Sequence, residues 1–466
     1  MRGILNQPSA AFIDVFSLTN ISEVYKNAIA WKNIQGIDRM NTHNFDMRKS
    51  EHFNIIQKKC LTGTYKFSPY LEKLRLRGKD RLPRVISIAT IRDRIVLSLL
   101  KDYLHQIFPE CVNRKLPNSY INEIKKFYET TILKDLYFYK VDIKSFYDTI
   151  NHAKLIEFLA EKIKTKPELT LIKRAIETQT VPKNYKQSDL NSKTNLIGVP
   201  QGLAISNILA NIYLYHSDEI FKNSGILYLR YVDDIIFVVK KSDKKKIKLL
   251  VNDKLNELGL CISQRKTICR EISKDIDYLG YHLQLPTVSI KSITVERFLS
   301  SLSSLFSAYI SRGASMYPQA DKQTGKNLFI SDVIEKITGA ISENKRYGWL
   351  FYFLEMNDLP LLYRIDWLIQ NKFLIRLKDP TTRPLPEEIK KLTRSYYEDK
   401  YTPLGGYVHN YDTYDTIAKK LRFLVFRGII KRDEETTIQQ SEIERKFNQF
   451  KKNRLSGLES DIGETS

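Results

Sequence analysis

Cysteine is scarce in this sequence. Four residues in 466 (Cys60, Cys111, Cys261 and Cys269) are scattered along the chain with no Cys-x-x-Cys pair. That excludes a disulfide framework. No histidine stands at a zinc-ligand distance from a cysteine pair, which argues against a structural zinc. Long apolar runs are also missing: none approaches the ~18 residues of a membrane span. The opening stretch MRGILNQPSAAFIDVF has no apolar core of the kind a secretory signal carries. Acidic residues are in the minority, 53 Asp and Glu against 75 Lys and Arg, a formal charge of +22. These absences describe a reduced, basic protein of the cytoplasm, with no membrane partner and a polyanion as its natural ligand.

What is present is a globular composition, 42% hydrophobic and 27% charged. At roughly 150 residues per domain the length predicts about three units. The charge is uneven. Residues 1–290 carry 47 basic and 30 acidic side chains, a net +17, whereas residues 291–466 carry 28 and 23, a net +5. The polyanion surface is expected mainly in the first 290 residues.

Residues 8–60 read as helical, with a turn at Gln35-Gly36-Ile37-Asp38. The alternating Lys73–Arg77 and Val85–Ile88 around Gly78 predict a hairpin. Ile95, Val96, Leu99, Leu100, Tyr103, Leu104, Ile107 and Phe108 predict an amphipathic helix. Residues 136–143 (LYFYKVDI) predict a buried strand, and Asn151 caps the helix that follows. Residues 164–197 are polar, basic and weakly periodic. Ser206 and Asn207 start another helix, and ILYLRYV and IIFVV form two apolar runs around Asp233-Asp234. Gly259 is suited to end a helix that starts after Ser242 or Asp243. A strand pair is expected around Cys261-Ile262 and Tyr278–Tyr281. From about 291 the pattern is mostly helical, and the tail SGLESDIGETS reads as frayed.

Three strings carry chemistry. In Tyr231-Val232-Asp233-Asp234 two acids sit between two apolar strands. Their repulsion and desolvation call for a counter-charge, and a divalent cation is the usual one. Read alone, the pair is more readily a solvated turn. Asp142 ends a second buried strand, 91 residues upstream of Asp233. Carboxylates converging from neighbouring strands can hold two Mg²⁺ ions about 3.5–4 Å apart, the arrangement that clamps the oxygens of phosphoryl transfer. Such catalysis relies on positioning and charge stabilisation, which suits a chain without an obvious nucleophile–His pair. Gly198-Val199-Pro200-Gln201-Gly202 supplies a tight backbone and a donor–acceptor side chain before a helix.

Together these residues resemble the reverse transcriptase family. Asp142–Tyr147 (DIKSFY) is similar to its motif A, Pro200-Gln201-Gly202 to motif B and Tyr231–Asp234 to motif C. Gly259–Thr267 is similar to motif D, and Tyr278-Leu279-Gly280-Tyr281 to the primer-grip hairpin of motif E. Arg84–Arg94 and Gln35–Asp38 resemble the upstream fingers elements. The resemblance spans about residues 30–285. It implies an α+β right-hand polymerase, with fingers and a palm built on an antiparallel sheet, followed by a mostly α-helical C-terminal region. The implied domains are 1–135 (N-terminal helices and fingers), 136–290 (palm, with a fingers insertion near 164–197) and 291–466 (helical, thumb-like).

The roles carried over are these. Asp142 and Asp233 bind two Mg²⁺ ions, or Mn²⁺ in their place, with Asp234 as third acid and the Ile143 carbonyl completing one shell. Tyr147 stands where the family has its steric gate against the ribose 2′-hydroxyl. Gln201 contacts the incoming nucleotide or the template. Lys79, Arg81 and Arg84 face the triphosphate, Arg84 being best placed by motif. Lys266 matches a lysine that protonates the leaving pyrophosphate, with a plain surface lysine as the rival reading. Tyr278 and Tyr281 are expected to pack the hairpin rather than stack on bases.

Among subgroups, the Asn-Ala-x-x-His and Val-Thr-Gly elements of retron enzymes are missing, and no maturase, RNase H or integrase module is legible. PQGLAISN (200–207) is most similar to bacterial abortive-infection and defence-associated reverse transcriptases. The expected function is RNA-directed DNA synthesis from dNTPs in antiphage defence, in the bacterial cytoplasm. The partners implied are an RNA template or noncoding RNA, the DNA product, and a second copy or a defence protein. Template-independent or protein-primed synthesis is the alternative; Tyr407, Tyr411 and Tyr414 lie on an expected loop, although nothing marks a priming tyrosine. A non-catalytic RNA-binding or splicing factor is the further alternative.

Overall fold

The computed structural model describes residues 6–32, 34–76, 82–132, 134–186, 196–225, 227–317, 320–378, 383–403 and 405–462. By packing, the chain divides into residues 1–114 with 135–269, and residues 115–134 with 270–466. The division does not follow chain order: residues 115–134 group with the C-terminal part.

In the first unit, strands β1 (Tyr70–Arg75) and β2 (Arg84–Ile88) pair antiparallel, with Leu71 opposite Ile88 and Arg75 opposite Arg84. Residues 77–81, where the sequence predicts the hairpin turn, fall outside the described residues. β3 (Leu136–Asp142) is the buried strand the aromatic and β-branched run predicts. The two-residue β4 (Thr180–Val181) lies parallel to β1. β5 (Leu227–Tyr231), β6 (Asp234–Lys240) and β7 (Ile268–Glu271) join β3 in a four-stranded sheet of order β5-β6-β3-β7. Residues Asp234 to Val239 of β6 are all buried, so both faces of this central strand are covered; a continuous apolar run, not an alternating one, is what such a strand requires.

The helices of this unit form as their caps and periodicity dictate. Thr90 Oγ1 accepts from Asp93 N at the start of Ile91–Ile107, and Asn151 Oδ1 accepts from Lys154 N at the start of His152–Ala160. Leu100, Val141, Leu209 and Ile235 belong to one continuous core. Two expectations are corrected. Residues 164–197 hold a well-formed helix, Lys166–Glu177, whose Leu169, Leu171, Ile172, Ala175 and Ile176 are core residues; the apolar face was hidden by Lys and Arg on the other side. Ile262 makes a β-bridge to Ile143 and does not pair with the Tyr278 segment.

In the second unit, β8 (Ile276–Tyr278), β9 (Tyr281–Gln284) and β10 (Thr287–Ile290) form an antiparallel meander. Helices Ser292–Arg312, Lys322–Thr338, Leu359–Leu368, Leu392–Tyr401, Ile417–Phe426 and Gln440–Glu459 follow. They enclose a small sheet of order β12-β11-β13, made of β11 (Ala340–Ser342), β12 (Lys345–Tyr347) and β13 (His409–Asn410). The helix Pro117–Thr130 also belongs here, with Lys125 Nζ 3.0 Å from Glu355 Oε2. The tail is not frayed through Ile462: it continues the last helix to Glu459, and buried Asp461 pairs with Lys336. The fold is α+β, as expected, with a mostly helical C-terminal part. No helix among the described residues is long and apolar enough to cross a membrane.

Candidate active site

Two carboxylates face each other because two strand ends share a register, and a third lies in the adjoining turn. Asp142, the last residue of β3, stands directly opposite Asp234, the first of β6. Tyr231 pairs with Asp234 across β5 and β6, so the hairpin turn is only Val232-Asp233. A two-residue turn needs positive φ, and here a β-branched residue supplies it: Val232 has φ +58°. That conformation is strained for valine and persists only if the surroundings hold it. Arg230 does so: its Nη1 donates to the Val232 carbonyl at 2.9 Å and to Asn211 Oδ1 at 3.0 Å. The same guanidinium donates through Nε to Asp218 Oδ1 at 2.8 Å, in an ion pair about nine-tenths buried.

The electrostatics follow from crowding acids where water is thin. Asp142 and Asp234 are only 8% and 3% exposed. Burial pushes the Asp234 carboxyl up to about 6; Lys140 works against this, while Asp233 and Asp142 add to it. Asp233 is also raised, by burial first and then by the charge of Asp142. Lysines partly balance the cluster. Lys266 Nζ donates to Asp142 Oδ1 at 2.9 Å, and Lys140 Nζ lies 3.4 Å from Asp234 Oδ1. As the side chains stand, no group of three His, Cys, Asp or Glu among the described residues is drawn together around one point. The donor chemistry nevertheless fits a hard divalent cation, because oxygen ligands and an excess of buried negative charge are what such an ion neutralises.

Beyond Asp142 the chain turns sharply. The Asp142 carbonyl accepts Ser263 N at 2.8 Å, Ser145 adopts φ +49°, and a single turn, Phe146–Thr149, follows. This carries Tyr147 back beside the acids. Its hydroxyl is pushed up to about 12, chiefly by burial and then by Asp233, with Arg84 opposing. The Gly198–Gly202 loop is docked on this segment. Val199 N donates to the Tyr147 carbonyl at 2.7 Å, and Gly198 N to the Ile150 carbonyl at 2.8 Å. On its other side the loop lies on β2. Gly202 has φ +100°, and a Cβ there would come within 2.8 Å of Ile86 Cγ2. Ser87 N donates to the Gln201 carbonyl at 2.7 Å. The Gln201 side chain links three elements: its Oε1 accepts from Arg84 Nε, and its Nε2 donates to Asp148 Oδ1 at 3.0 Å.

Asp142, Ile143, Tyr147, Gln201, Asp233, Asp234, Arg84 and Lys266 thus come together in the first unit. Lys79 and Arg81 lie outside the described residues. Tyr278, Leu279, Gly280 and Tyr281 belong to the second unit, where Leu279 and Gly280 (φ +48° and +81°) make the β8–β9 turn. Tyr278 and Tyr281 are fully buried, and Tyr281 donates its hydroxyl to the Tyr352 carbonyl at 2.5 Å; both rings pack the hairpin. Tyr411, expected on a loop, is core, with its hydroxyl donated to Glu335 Oε1 at 2.5 Å. Sequence reasoning missed Lys140, Asp148 and the Arg230–Asp218–Asn211 clamp. A lysine inside the LYFYKVDI strand and an arginine inside LYLRYV were the available signals, since a charge within an apolar run needs a partner.

Residues 77–283 match the model of the family described as reverse transcriptase (RNA-dependent DNA polymerase), and this part of the chain is of that family. An uncharacterized 91 kDa protein in a cob intron of Schizosaccharomyces pombe is 31% identical over 144 residues, 30% of this chain and 17% of that one. A putative COX1/OXI3 intron 2 protein of Saccharomyces cerevisiae is 24% identical over 301 residues, 50% of this chain and 34% of that one. The chain therefore spans about a third or less of the length of these two relatives. Among solved structures, apo telomerase from Candida tropicalis is 16% identical, covering 85% of this chain and 66% of that one, with a TM-score of 0.40.

Proposed function

We propose that this chain is an RNA-directed DNA polymerase. The observation that carries the proposal is the register pairing of Asp142 with Asp234, with Asp233 in the adjoining turn, beside Arg84, Tyr147 and Gln201. The donors for two Mg²⁺ ions are Asp142, Asp233 and the Ile143 carbonyl, with Asp234 as the neighbouring acid. When bound, the ions supply Lewis-acid stabilisation of the attacking and leaving oxygens.

The protein's own groups do the rest. Arg84, oriented by Gln201, offers a planar fork to the triphosphate. Tyr147, a neutral phenol at physiological pH, occupies the side where a ribose 2′-hydroxyl would intrude. Lys266 screens Asp142 in the resting protein and becomes a proton donor toward the leaving group once it lets go of that carboxylate. Lys79 and Arg81, between β1 and β2 in the sequence, would add charge. The fingers (1–135) and palm (136–290) then fall within the first unit except for residues 115–134 and 270–290, which group with the second, and residues 291–466 supply a thumb-like region.

In the finer reading the enzyme acts in antiphage defence in a bacterial cytoplasm, copying an associated noncoding RNA. The similarity of PQGLAISN to defence-associated members supports this. The intron origin named for the relatives favours a second reading, an RNA-handling factor that assists splicing. Primer extension on an RNA template with all four dNTPs, beside Asp233→Asn, tests the first. Templated product from the parent and none from the variant supports it. Product unrelated to the template would replace it with untemplated synthesis, and no product from either would favour the splicing reading.

A further inference from the structure

A second binding surface lies on the helices Leu359–Leu368 and Leu392–Tyr401. Helical i, i+4 spacing aligns Tyr363 with Trp367 on one and Tyr397 with Tyr401 on the other. The helices are fixed to each other by the buried Asp366, whose carboxylate accepts Leu392 N at 2.7 Å, Thr393 N at 3.0 Å and Thr393 Oγ1 at 2.7 Å. Tyr363 lies close enough to Tyr397 to act on its hydroxyl, which sets the two pairs side by side. Tyr397 and Tyr401 stack with centroids 6.2 Å apart and planes 22° apart.

These rings form one ladder, and it is left in water. Tyr363, Trp367, Tyr397 and Tyr401 are 57%, 52%, 39% and 67% exposed. Four large aromatic side chains grouped on a surface mark a place where something binds. The charges around them say what. Residues 359–378 contain Arg364, Lys372, Arg376 and Lys378 against one acid, Asp366, which is buried as the cap. Lys372 Nζ stands 5.6 Å from the Trp367 ring centroid, and exposed Arg364 and Arg394 flank the ladder on its two helices. The last third of the chain is nearly neutral as a whole, but this strip is not. Exposed rings set among cations suit a ligand that has a flat π-face and a phosphate at every repeat.

We propose that this ladder is a stacking platform for single-stranded nucleic acid, bases lying on the rings and phosphates meeting Arg364, Lys372 and Arg394. Recognition is sequence-tolerant, because every base has a π-face. The proposal does not rest on the polymerase reading; a chain with Asp233→Asn keeps the platform.

The test uses the full chain and 20-residue oligonucleotides carrying 5-bromouridine or 5-bromodeoxyuridine, irradiated and mapped by peptide mass spectrometry. Crosslinks on peptides containing Tyr363, Trp367, Tyr397 or Tyr401 are expected, and the RNA and DNA arms tell which strand is preferred. Trp367→Ala and Tyr401→Ala, both at exposed positions, should each weaken binding about tenfold in fluorescence anisotropy, with Trp367→Phe close to the parent. Crosslinks confined to other peptides, or variants of unchanged affinity, overturn the proposal. So does a change of oligomeric state in Trp367→Ala without a change in affinity, which would make the ladder an interface between copies.

Discussion

Asp142 and Asp234 face each other across two paired strands, and both are almost wholly buried. Water cannot separate their charges, so protons, lysines or cations must. The pH and metal behaviour of the protein follows from this pair.

Asp234 binds its proton more tightly in the folded chain, at about 6, than in the unfolded one, near 3.9. Ionising it therefore destabilises the fold. The penalty is absent below pH ~4, grows as pH rises through ~6, and is on the order of 3 kcal/mol at neutrality. Asp234→Asn should raise Tm at pH 7.5 and change it little at pH 4. An equal difference at both pH values, measured by thermal denaturation, would count against the assignment.

Mg²⁺ should stabilise the folded chain by mass action. At pH 7.5 the Tm of the parent is expected to climb with millimolar Mg²⁺. The Asp142→Asn/Asp233→Asn double variant should not respond. A parallel rise in both would place the cation elsewhere.

Tyr147→Ala should relax sugar selectivity. Its ring stands beside Asp233, and its backbone carbonyl accepts Val199 N of the Gly198–Gly202 loop. Truncation is thus expected to open space while the loop keeps its anchor. Single-nucleotide incorporation of dNTP against rNTP gives the readout, and unchanged discrimination would refute the gate.

Gly202→Ala should misplace Gln201. The added Cβ meets Ile86 Cγ2 at 2.8 Å in a backbone conformation that alanine disfavours. A loss of about 1–3 kcal/mol is expected, visible in urea unfolding. Incorporation should fall as well, because Arg84 loses its partner.

Asp218→Ala should release the strained turn. It leaves Arg230 buried without its carboxylate, at a cost of about 3–5 kcal/mol. Because Arg230 also holds the Val232 carbonyl, amide exchange at Asp233 and Asp234 should accelerate more than at β1. Uniform acceleration across both sheets would mean that the clamp is only a general stabiliser.

Much of the site was legible because its signals are short. Asp233-Asp234 between two apolar runs, the strand ending at Asp142 and the glycine-bounded Pro200-Gln201 each fall within a few residues. The helix start at Asn151 depends on the next turn of chain. The helix Lys166–Glu177 was obscured by the charges on its outer face. The partner of Ile262 was misjudged, because a bridge to Ile143 spans 119 residues and leaves no local trace.

The sequence by itself determined the strands, the caps, the excess of cations and the presence of costly acids in apolar surroundings, all of which are local propensities and transfer energies. Only the tertiary structure decided that Asp142 stands opposite Asp234, that Lys266 and Lys140 lie against them, and that Gln201 joins Arg84 to Asp148. It also turned a tail that looked loose into the end of a helix, and Tyr411 from a loop residue into core. The reason is that register and burial are set by non-local packing over the whole core; for Asp142 and Asp234, a one-residue change in strand register would have sent a carboxylate to the opposite face.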